Sequence, residues 1–554
     1  MLAAGLAFAG GAVVGAVHTP AEQEAAERFA TAWERGDYAR MYALLSDSAK
    51  AETSLGAFRD AYTRATATAT TQRLRAGRAA APQDDVVRVP ISVRTRIFGP
   101  VRATLELPFV EEDGEARVAW EKHLAFPGVR EGETLERKTR LPPRATLLAA
   151  DGTVLAKGED RTPEDAELAA SIRGELGPIP EERALELRRE GVPANAQVGV
   201  SGLERALDDE LRGQPGGELR AGARTLATAA PRQAEPVRSS IAPSVQRAAV
   251  AAIGARVGGV VALDPRSGEV RAAAGIGLSG LQPPGSTFKI VTLTGALEAK
   301  ITSPSKQYPV ETAATIEGVE LENANGETCG GTLMNSFAHS CNSVFAPLGA
   351  QLGAKRLVAA AEEFGFNAPP GIDGAATSTI PAPGEIGDDL AVGSSAIGQG
   401  RVQATALQMA IVAATVAERG VRVTPTLLAG DEGARRRVMP ASTAKTVGRA
   451  MRQVVTQGTG GAAAIPGVAV AGKTGTAELR STVAPEPVPG TEGEGVAPAP
   501  AYDPRNTDAW FSSYAPAGDP RVAVGVLLVE SGAGGETAAP AARAVLEAAL
   551  RRRG

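Results

Sequence analysis

The sequence predicts a multidomain α+β protein behind an apolar N-terminal segment, and three observations predict it. Its 554 residues exceed what one hydrophobic core organises, which points to about two to four domains. The hydrophobic period changes along the chain, from helical spacing over 21–63 to strict alternation from Val87 onward. An apolar run of seventeen residues, MLAAGLAFAGGAVVGAV, opens the chain before the polar HTPAEQEAAE.

A buried core helix at the very start of a globular protein would be out of place, so residues 1–18 are read as an export signal retained as a membrane anchor. No Lys or Arg precedes the run, against the positive-inside bias, and no A-x-A cleavage site follows it. The expectation is therefore a true start further upstream, with a basic cytoplasmic head, and a remainder that works outside the cytoplasm. The net charge of −5, from 58 Lys and Arg against 63 Asp and Glu, lacks the basic surplus of a nucleic-acid binder. Three histidines (His18, His123, His339) and two cysteines (Cys329, Cys341) offer no zinc set of the usual spacing. Neither a metal nor a cofactor is expected.

Residues 21–63 read as helices. Phe29 and Trp33 form an i, i+4 apolar pair, Gly36 is a stop, and Asp37 caps a second helix carrying Met41, Leu44 and Leu45. VVRVPISVRTRIF then alternates Val87, Val89, Ile91, Val93 and Ile97 against Arg88, Ser92, Arg94 and Arg96, the pattern of a half-buried strand. VRATLELPFVEEDGEARVAWEKHLAF follows as a hairpin turning at Asp113–Gly114, with His123 read as a satisfied structural histidine.

Residues 129 to about 236 form a second block. Asp151–Gly152 is a turn between two short strand-like runs, and GVSGLERALDDELRGQPG reads as an amphipathic helix ending at Gly213. The block from 237 onward opens with GGVVALDPRSGEVRAAAG: a strand, a turn at Pro265–Gly268, and a second strand. Within it, the Pro-, Gly-, Ala- and Glu-rich stretch 481–506 has no apolar periodicity and reads as a mobile surface loop.

The chemistry lies in this last block. In QPPGSTFKIV, Pro283–Pro284–Gly285 bars helix before Ser286, and an apolar, helix-patterned run follows. The plain structural alternative is an N-cap serine with a snorkelling lysine. The functional reading has Ser286 and Lys289 one turn apart on a buried helix, where desolvation depresses the amine's pKa and lets it act as a base toward the hydroxyl. AHSCNSVF then contains Ser340 and Asn342, in plain structural terms a helix-flanking polar cluster and on the functional reading a proton relay and a group that binds a substrate amide. VAVAGKTGTAEL places Lys473, Thr474, Gly475 and Thr476 at the end of a small-residue strand. The plain alternative is a strand with a turn; on the functional reading Lys473 attracts a carboxylate, Thr474 and Thr476 hydrogen-bond it, and Gly475 clears space for a substrate along the strand edge.

Ser340 follows Ser286 by 54 positions and Lys473 follows it by 187. S-x-x-K, S-x-N and K-T-G in this order, with GSSAIGQGRVQATALQMA (Gln399, Gly400, Thr405), VVTQGTGGAA and TDAWFSSYAP around the third, resemble the penicillin-binding protein transpeptidases. Cys341 departs from the S-D-N wording; its side chain is expected to face away from the chemistry. Arg144, Asp151, Gly152 and Leu155, then Gly202, Leu203, Glu204 and Gly213, resemble the pedestal, or dimerisation, module of class B members. TAWERGDYARMYALLSD resembles the NTF2-like domain that precedes some of them, a generic α+β spacer being the bland alternative.

The resemblance implies an anchor over 1–18, an NTF2-like domain over 21–128, an elongated pedestal over 129–236, and a transpeptidase domain over 237–554 built as an antiparallel sheet flanked by helices. It implies peptidoglycan stem peptides ending in D-Ala-D-Ala as substrate, with β-lactams acylating Ser286. Lys289 would act as base, Ser340 as relay, and the Ser286 and Thr476 backbone N–H groups as oxyanion hole. It also implies a membrane location and a glycosyltransferase, divisome or elongasome partner. A β-lactam-hydrolysing or sensing relative and a non-catalytic cell-wall scaffold are the alternatives. Against the first, EFGFN (Glu363–Asn367) reads as the end of a helix stopped by Gly365, not as a water-activating motif. Against the second, all five of Ser286, Lys289, Ser340, Asn342 and Lys473 are present. His339 is the sole histidine near enough for a Ser-His-Asp triad and reads as a flanking residue. Cys329 and Cys341 are open between a disulfide and free thiols.

Overall fold

The computed structural model describes residues 19–478 and 506–551. The N-terminal apolar run and nearly all of the 481–506 stretch therefore lie outside the described residues, and no described helix is long and apolar enough to cross a membrane. The described chain forms two compact units, one from residues up to 144 with 178–196 and 212–233, the other from 145–177, 197–211 and 234 onward.

The first unit begins with four helices, α1 (Ala21–Glu34), α2 (Tyr38–Ala43), α3 (Asp47–Glu52) and α4 (Leu55–Ala69). Asp37, Ser46 and Ser54 cap the last three, each side chain accepting from the backbone N–H three residues on. Four antiparallel strands follow in chain order, β1 (Thr71–Ala76), β2 (Val86–Thr95), β3 (Gly99–Glu112) and β4 (Glu115–Val118). Val87, Val89, Ile91 and Val93 of β2 turn inward as their alternation predicts. Ile97 falls beyond the strand, because Thr95 Oγ1 accepts from Phe98 N and donates to Gly99 O and so begins the turn. Asp113 and Gly114 both take positive φ, 53° and 76°, the demand of a two-residue hairpin turn. Phe29, Trp33, Phe58, Tyr62 and Trp120 fill the space between helices and sheet. Trp120 Nε1 donates to Tyr62 Oη at 3.0 Å, satisfying both buried polar tips. A second sheet of this unit pairs strand 216–221 with 135–140 on one side and 224–229 on the other.

In the second unit the expected single helix over 202–212 is two short ones, Gly202–Ala206 and Asp208–Arg212. The break has a cause in Asp208, a buried carboxylate that accepts from Gly199 N at 2.9 Å. Glu204, also buried, pairs with Arg161 at 2.7 Å.

The main sheet of this unit is built from β5 (Gly258–Leu263), β6 (Val270–Gly275), β8 (Ala471–Glu478), β9 (Thr507–Ala515) and β10 (Val522–Leu528), in the antiparallel order β6-β5-β10-β9-β8. All residues of β5, β9 and β10 are buried, as strands covered on both faces must be. On one face Val260, Phe511 and Val524 pack with α5 (Pro243–Ile253) and α12 (Ala538–Leu550). On the other, Val261, Trp510 and Leu527 join the core of α6 (Lys289–Glu298) and α10 (Ala406–Ala417), the latter buried at every position and apolar except at Gln408 and Thr415. Strand β7 (Cys329–Thr332) and helices α7 (Leu333–Ala338), α8 (Asn342–Leu352), α9 (Ala354–Phe364) and α11 (Ala441–Gln457) complete the surroundings of the site.

Candidate active site

Ser286 lies in a 3-10 turn, Gly285–Phe288, that runs directly into α6. Its hydroxyl caps nothing: the turn is tied by Thr287 Oγ1 donating to Pro284 O at 2.6 Å, and Ser286 Oγ makes no hydrogen bond with the described residues. The N-cap alternative therefore fails. Gly285 takes φ 51°, and a Cβ there would stand 2.7 Å from Thr476 O. Its N–H donates to Gly398 O at 2.9 Å, and a Cβ on Gly398 would stand 2.0 Å from Gly285 O. Glycine at both positions lets three backbone segments close around the serine.

Lys289 does not snorkel. Its side chain is fully buried, with Nζ 2.7 Å from Ser340 O, 2.7 Å from Asn342 Oδ1 and 3.2 Å from Ser340 Oγ. Lys473, equally buried, reaches the same Ser340 Oγ at 2.9 Å and Thr474 O at 2.9 Å. Phe345 and Phe337 lie under the two ammonium positions at 5.7 and 5.6 Å. Burial holds the Lys289 amine well below the ordinary lysine range, and the charge of Lys473 adds to that; burial lowers Lys473 to about 7. A neutral Lys289 has two N–H groups and one lone pair. Two of its three neighbours, Ser340 O and Asn342 Oδ1, are carbonyl oxygens that can only accept, so they take the N–H groups and leave the lone pair for the third, the Ser340 hydroxyl.

Ser340 carries a left-handed backbone, φ 61°, in the one-turn junction between α7 and α8. This is unfavourable for a residue with a Cβ, and it aims the hydroxyl at both lysines. Asn342 Oδ1 accepts from Lys289, and its Nδ2 donates to Glu322 O at 2.7 Å.

The third motif lies inside β8, not at its end, because the strand starts only at Ala471. β8 is an edge of the described sheet, open on the side away from β9. Gly475 is needed for packing as well as access, since a Cβ would meet Pro284 O at 2.7 Å. Thr474 Oγ1 pairs with Thr459 Oγ1 at 2.5 Å, and Thr476 Oγ1 accepts from Gly534 N at 3.3 Å. Thr459 is a residue the motif spacing did not single out, although VVTQGTGGAA contains it; nothing local in that stretch announces a bond to a strand fifteen positions on.

Lys289, Ser340, Asn342, Lys473 and Thr474 thus form one hydrogen-bonded cluster, and the Ser286 turn packs on Thr476 and Gly475. Residues set aside stay outside it: Glu363 pairs with Arg436 at 2.7 Å, and His123 with Glu121 at 3.3 Å. Cys329 and Cys341 are bridged, with Cα atoms 5.4 Å apart.

Residues 258–547 match the penicillin binding protein transpeptidase domain, 144–224 the penicillin-binding protein dimerisation domain, and 21–133 the NTF2-like N-terminal transpeptidase domain. The chain is 34% identical over 428 residues to the peptidoglycan D,D-transpeptidase PbpA of Mycolicibacterium smegmatis, covering 63% of this chain and 80% of that one. With PbpA of Mycobacterium tuberculosis it is 38% identical over 303 residues, 49% of this chain and 56% of that one. The solved structure of penicillin-binding protein A from M. tuberculosis, a ceftriaxone acyl-enzyme complex, superposes with a TM-score of 0.56 at 27% identity, covering 74% of this chain and 98% of that one. With its three motifs gathered on one sheet edge and more than half its length matched, the chain belongs to the penicillin-binding protein transpeptidase family.

Proposed function

We propose that this chain is a serine D,D-transpeptidase that cross-links peptidoglycan stem peptides through an acyl-enzyme and is acylated by β-lactams at the same serine. The observation that carries the reading is the buried Lys289 amine, with its N–H groups taken by two carbonyl oxygens and a free hydroxyl three residues before it. Ser286 Oγ attacks the carbonyl between the two terminal D-alanines while Lys289 takes its proton. The Ser286 and Thr476 backbone N–H groups hold the oxyanion, supported by the close packing of the Ser286 turn on β8. Ser340 returns a proton to the departing D-alanine nitrogen, and Lys473 with Thr474 and Thr476 binds the donor carboxylate. An amine of a neighbouring stem then displaces Ser286 and closes the cross-link.

Asn342 serves this scheme first as an acceptor that orients Lys289. The same reading divides the chain into an anchor over 1–18, an NTF2-like domain over 21–128, a pedestal over 129–236 and a catalytic domain over 237–554. It places the protein at the outer face of the cell membrane, beside a glycosyltransferase or divisome or elongasome partner. Labelling with a fluorescent penicillin tests the reading: the wild-type chain is expected to label and Ser286→Ala to stay dark. Equal labelling of both, or none of either, removes it.

A further inference from the structure

The second motif holds a feature that the reaction scheme leaves unused. Cys341, between Ser340 and Asn342, is completely buried and bridged to Cys329, which is 8% exposed at the start of β7. Its partner strand is itself anchored, since Cys329 pairs with Glu311 across a two-stranded sheet and Cys329 O accepts from Ser343 Oγ at 3.3 Å. The bridge therefore ties the residue next to Ser340 to a separate element of the domain.

Ser340 needs such a tie. A non-glycine residue at φ 61° costs about 1 kcal/mol or more and persists only where its surroundings over-determine it. Backbone hydrogen bonds hold the junction from both sides: Ser340 N to Phe337 O at 3.2 Å and Cys341 N to Ser336 O at 2.9 Å lead back into α7, and Phe345 N to Cys341 O at 3.1 Å leads on into α8. The disulfide adds a covalent tether from this junction to β7. What it holds in place is one hydroxyl 3.2 Å from Lys289 Nζ and 2.9 Å from Lys473 Nζ, together with the carbonyl that takes a Lys289 N–H.

We propose that Cys329 and Cys341 are positioning residues of the acyl-transfer site, the bridge fixing Ser340 between the two lysines and thereby setting the rate of serine acylation without contributing to ligand affinity. The inference rests on the reading of Ser286, Lys289 and Ser340 given above. A shift of about 1 Å in a reacting constellation costs up to about a hundredfold in rate, so the effect is large enough to measure.

The test compares stopped-flow acylation by penicillin G in the wild-type chain and in two bridge-free forms, Cys329→Ser/Cys341→Ser and Cys329→Ala/Cys341→Ala. The saturating acylation rate is separated from the dissociation constant of the encounter complex, and each form is melted in parallel. The bridge in the wild type is verified by mass, where two free thiols would end the proposal. The expected result is a saturating rate at least about tenfold lower in both variants, a dissociation constant within about twofold of wild type, and cooperative melting above the assay temperature. Wild-type rates in either folded variant overturn the proposal, as does a loss that falls entirely on the dissociation constant. If neither variant folds, the bridge is a folding element and the positioning role is likewise overturned. Ser286→Ala, run alongside, separates the two levels: a wild-type chain that is not acylated at Ser286 brings down the site reading itself.

Discussion

The buried amines of Lys289 and Lys473 converge on one part-buried hydroxyl, and the charge of Lys473 makes Lys289 harder to charge. This has a consequence for pH dependence. Lys473 depresses Lys289, and removing its charge releases that part of the depression. Lys473→Met is expected to lower the acylation rate by about 100-fold or more and to move the acid limb of the pH–rate profile to higher pH. Single-turnover acylation across pH checks this, and an acid limb that stays or moves down contradicts it. Asp508, at the start of β9, makes a different case. It is fully buried, Oδ1 accepts from Glu530 N at 3.0 Å, Oδ2 meets no partner among the described residues, and burial raises the carboxyl from 3.8 to about 6. The folded state thus binds more protons than the unfolded one between those values. The resulting stability is complete below about pH 4 and lost as pH rises through about 6. Asp508→Asn keeps the Oδ1 acceptor and removes the charge. Melting curves are expected to show it more stable than wild type above pH 6, by about 1–3 kcal/mol, and nearly equal to it at pH 4.

At the scale of elements, the site depends on three backbone segments meeting with no side chain between them: the Ser286 turn, the Gly398 loop and β8. Gly398 is the tightest of these positions, at φ 78° with a Cβ 2.0 Å from the Gly285 carbonyl. Gly398→Ala is expected to cost about 2–4 kcal/mol, from the left-handed backbone and the overlap together, and to slow acylation at least about tenfold by displacing the Ser286 turn. Thermal melting and penicillin labelling read the two effects; an unperturbed rate in a folded variant would show that the loop does not support the serine. The elements were unequally legible in the sequence. β2 and the hairpin at Asp113–Gly114 came through because alternation and turn chemistry are local. The 202–212 helix was misread as continuous because its break depends on Asp208 reaching Gly199, a tertiary bond that amphipathic spacing does not reveal. The hydrogen bond from Asn342 Nδ2 to Glu322 O is hidden for the same kind of reason, since Glu322 lies twenty residues away on another element.

At the scale of the molecule, the two units have separate cores, one centred on Phe58, Tyr62 and Trp120, the other on the five-stranded sheet. Calorimetry of the whole chain is therefore expected to resolve more than one unfolding step. Saturation with a β-lactam is expected to raise the step that carries the transpeptidase core by several degrees in wild type and not in Ser286→Ala, because a ligand held only by the folded state stabilises the unit that holds it. A uniform shift of every step would mean that the cores unfold together.

The candidate site residues can be picked out from residue type and order alone. S-x-x-K, S-x-N and K-T-G are short, local and in a fixed order, and residue type alone says that one hydroxyl can attack, one amine can take a proton and one glycine can admit a chain. The α+β class was equally legible, since the change of hydrophobic period from helical to alternating is written into consecutive residues. Only the tertiary structure decided what those groups are chemically. Among the described residues Ser286 Oγ caps nothing, and Thr287 ties the turn instead. Lys289 is a buried amine rather than a surface cation because α6 and α8 close over it and two carbonyl oxygens accept its N–H groups. Cys329 and Cys341 are bridged because β7 brings them within reach. Desolvation, hydrogen-bond partner and disulfide pairing are properties of proximity between distant segments, and proximity is what folding adds to a sequence.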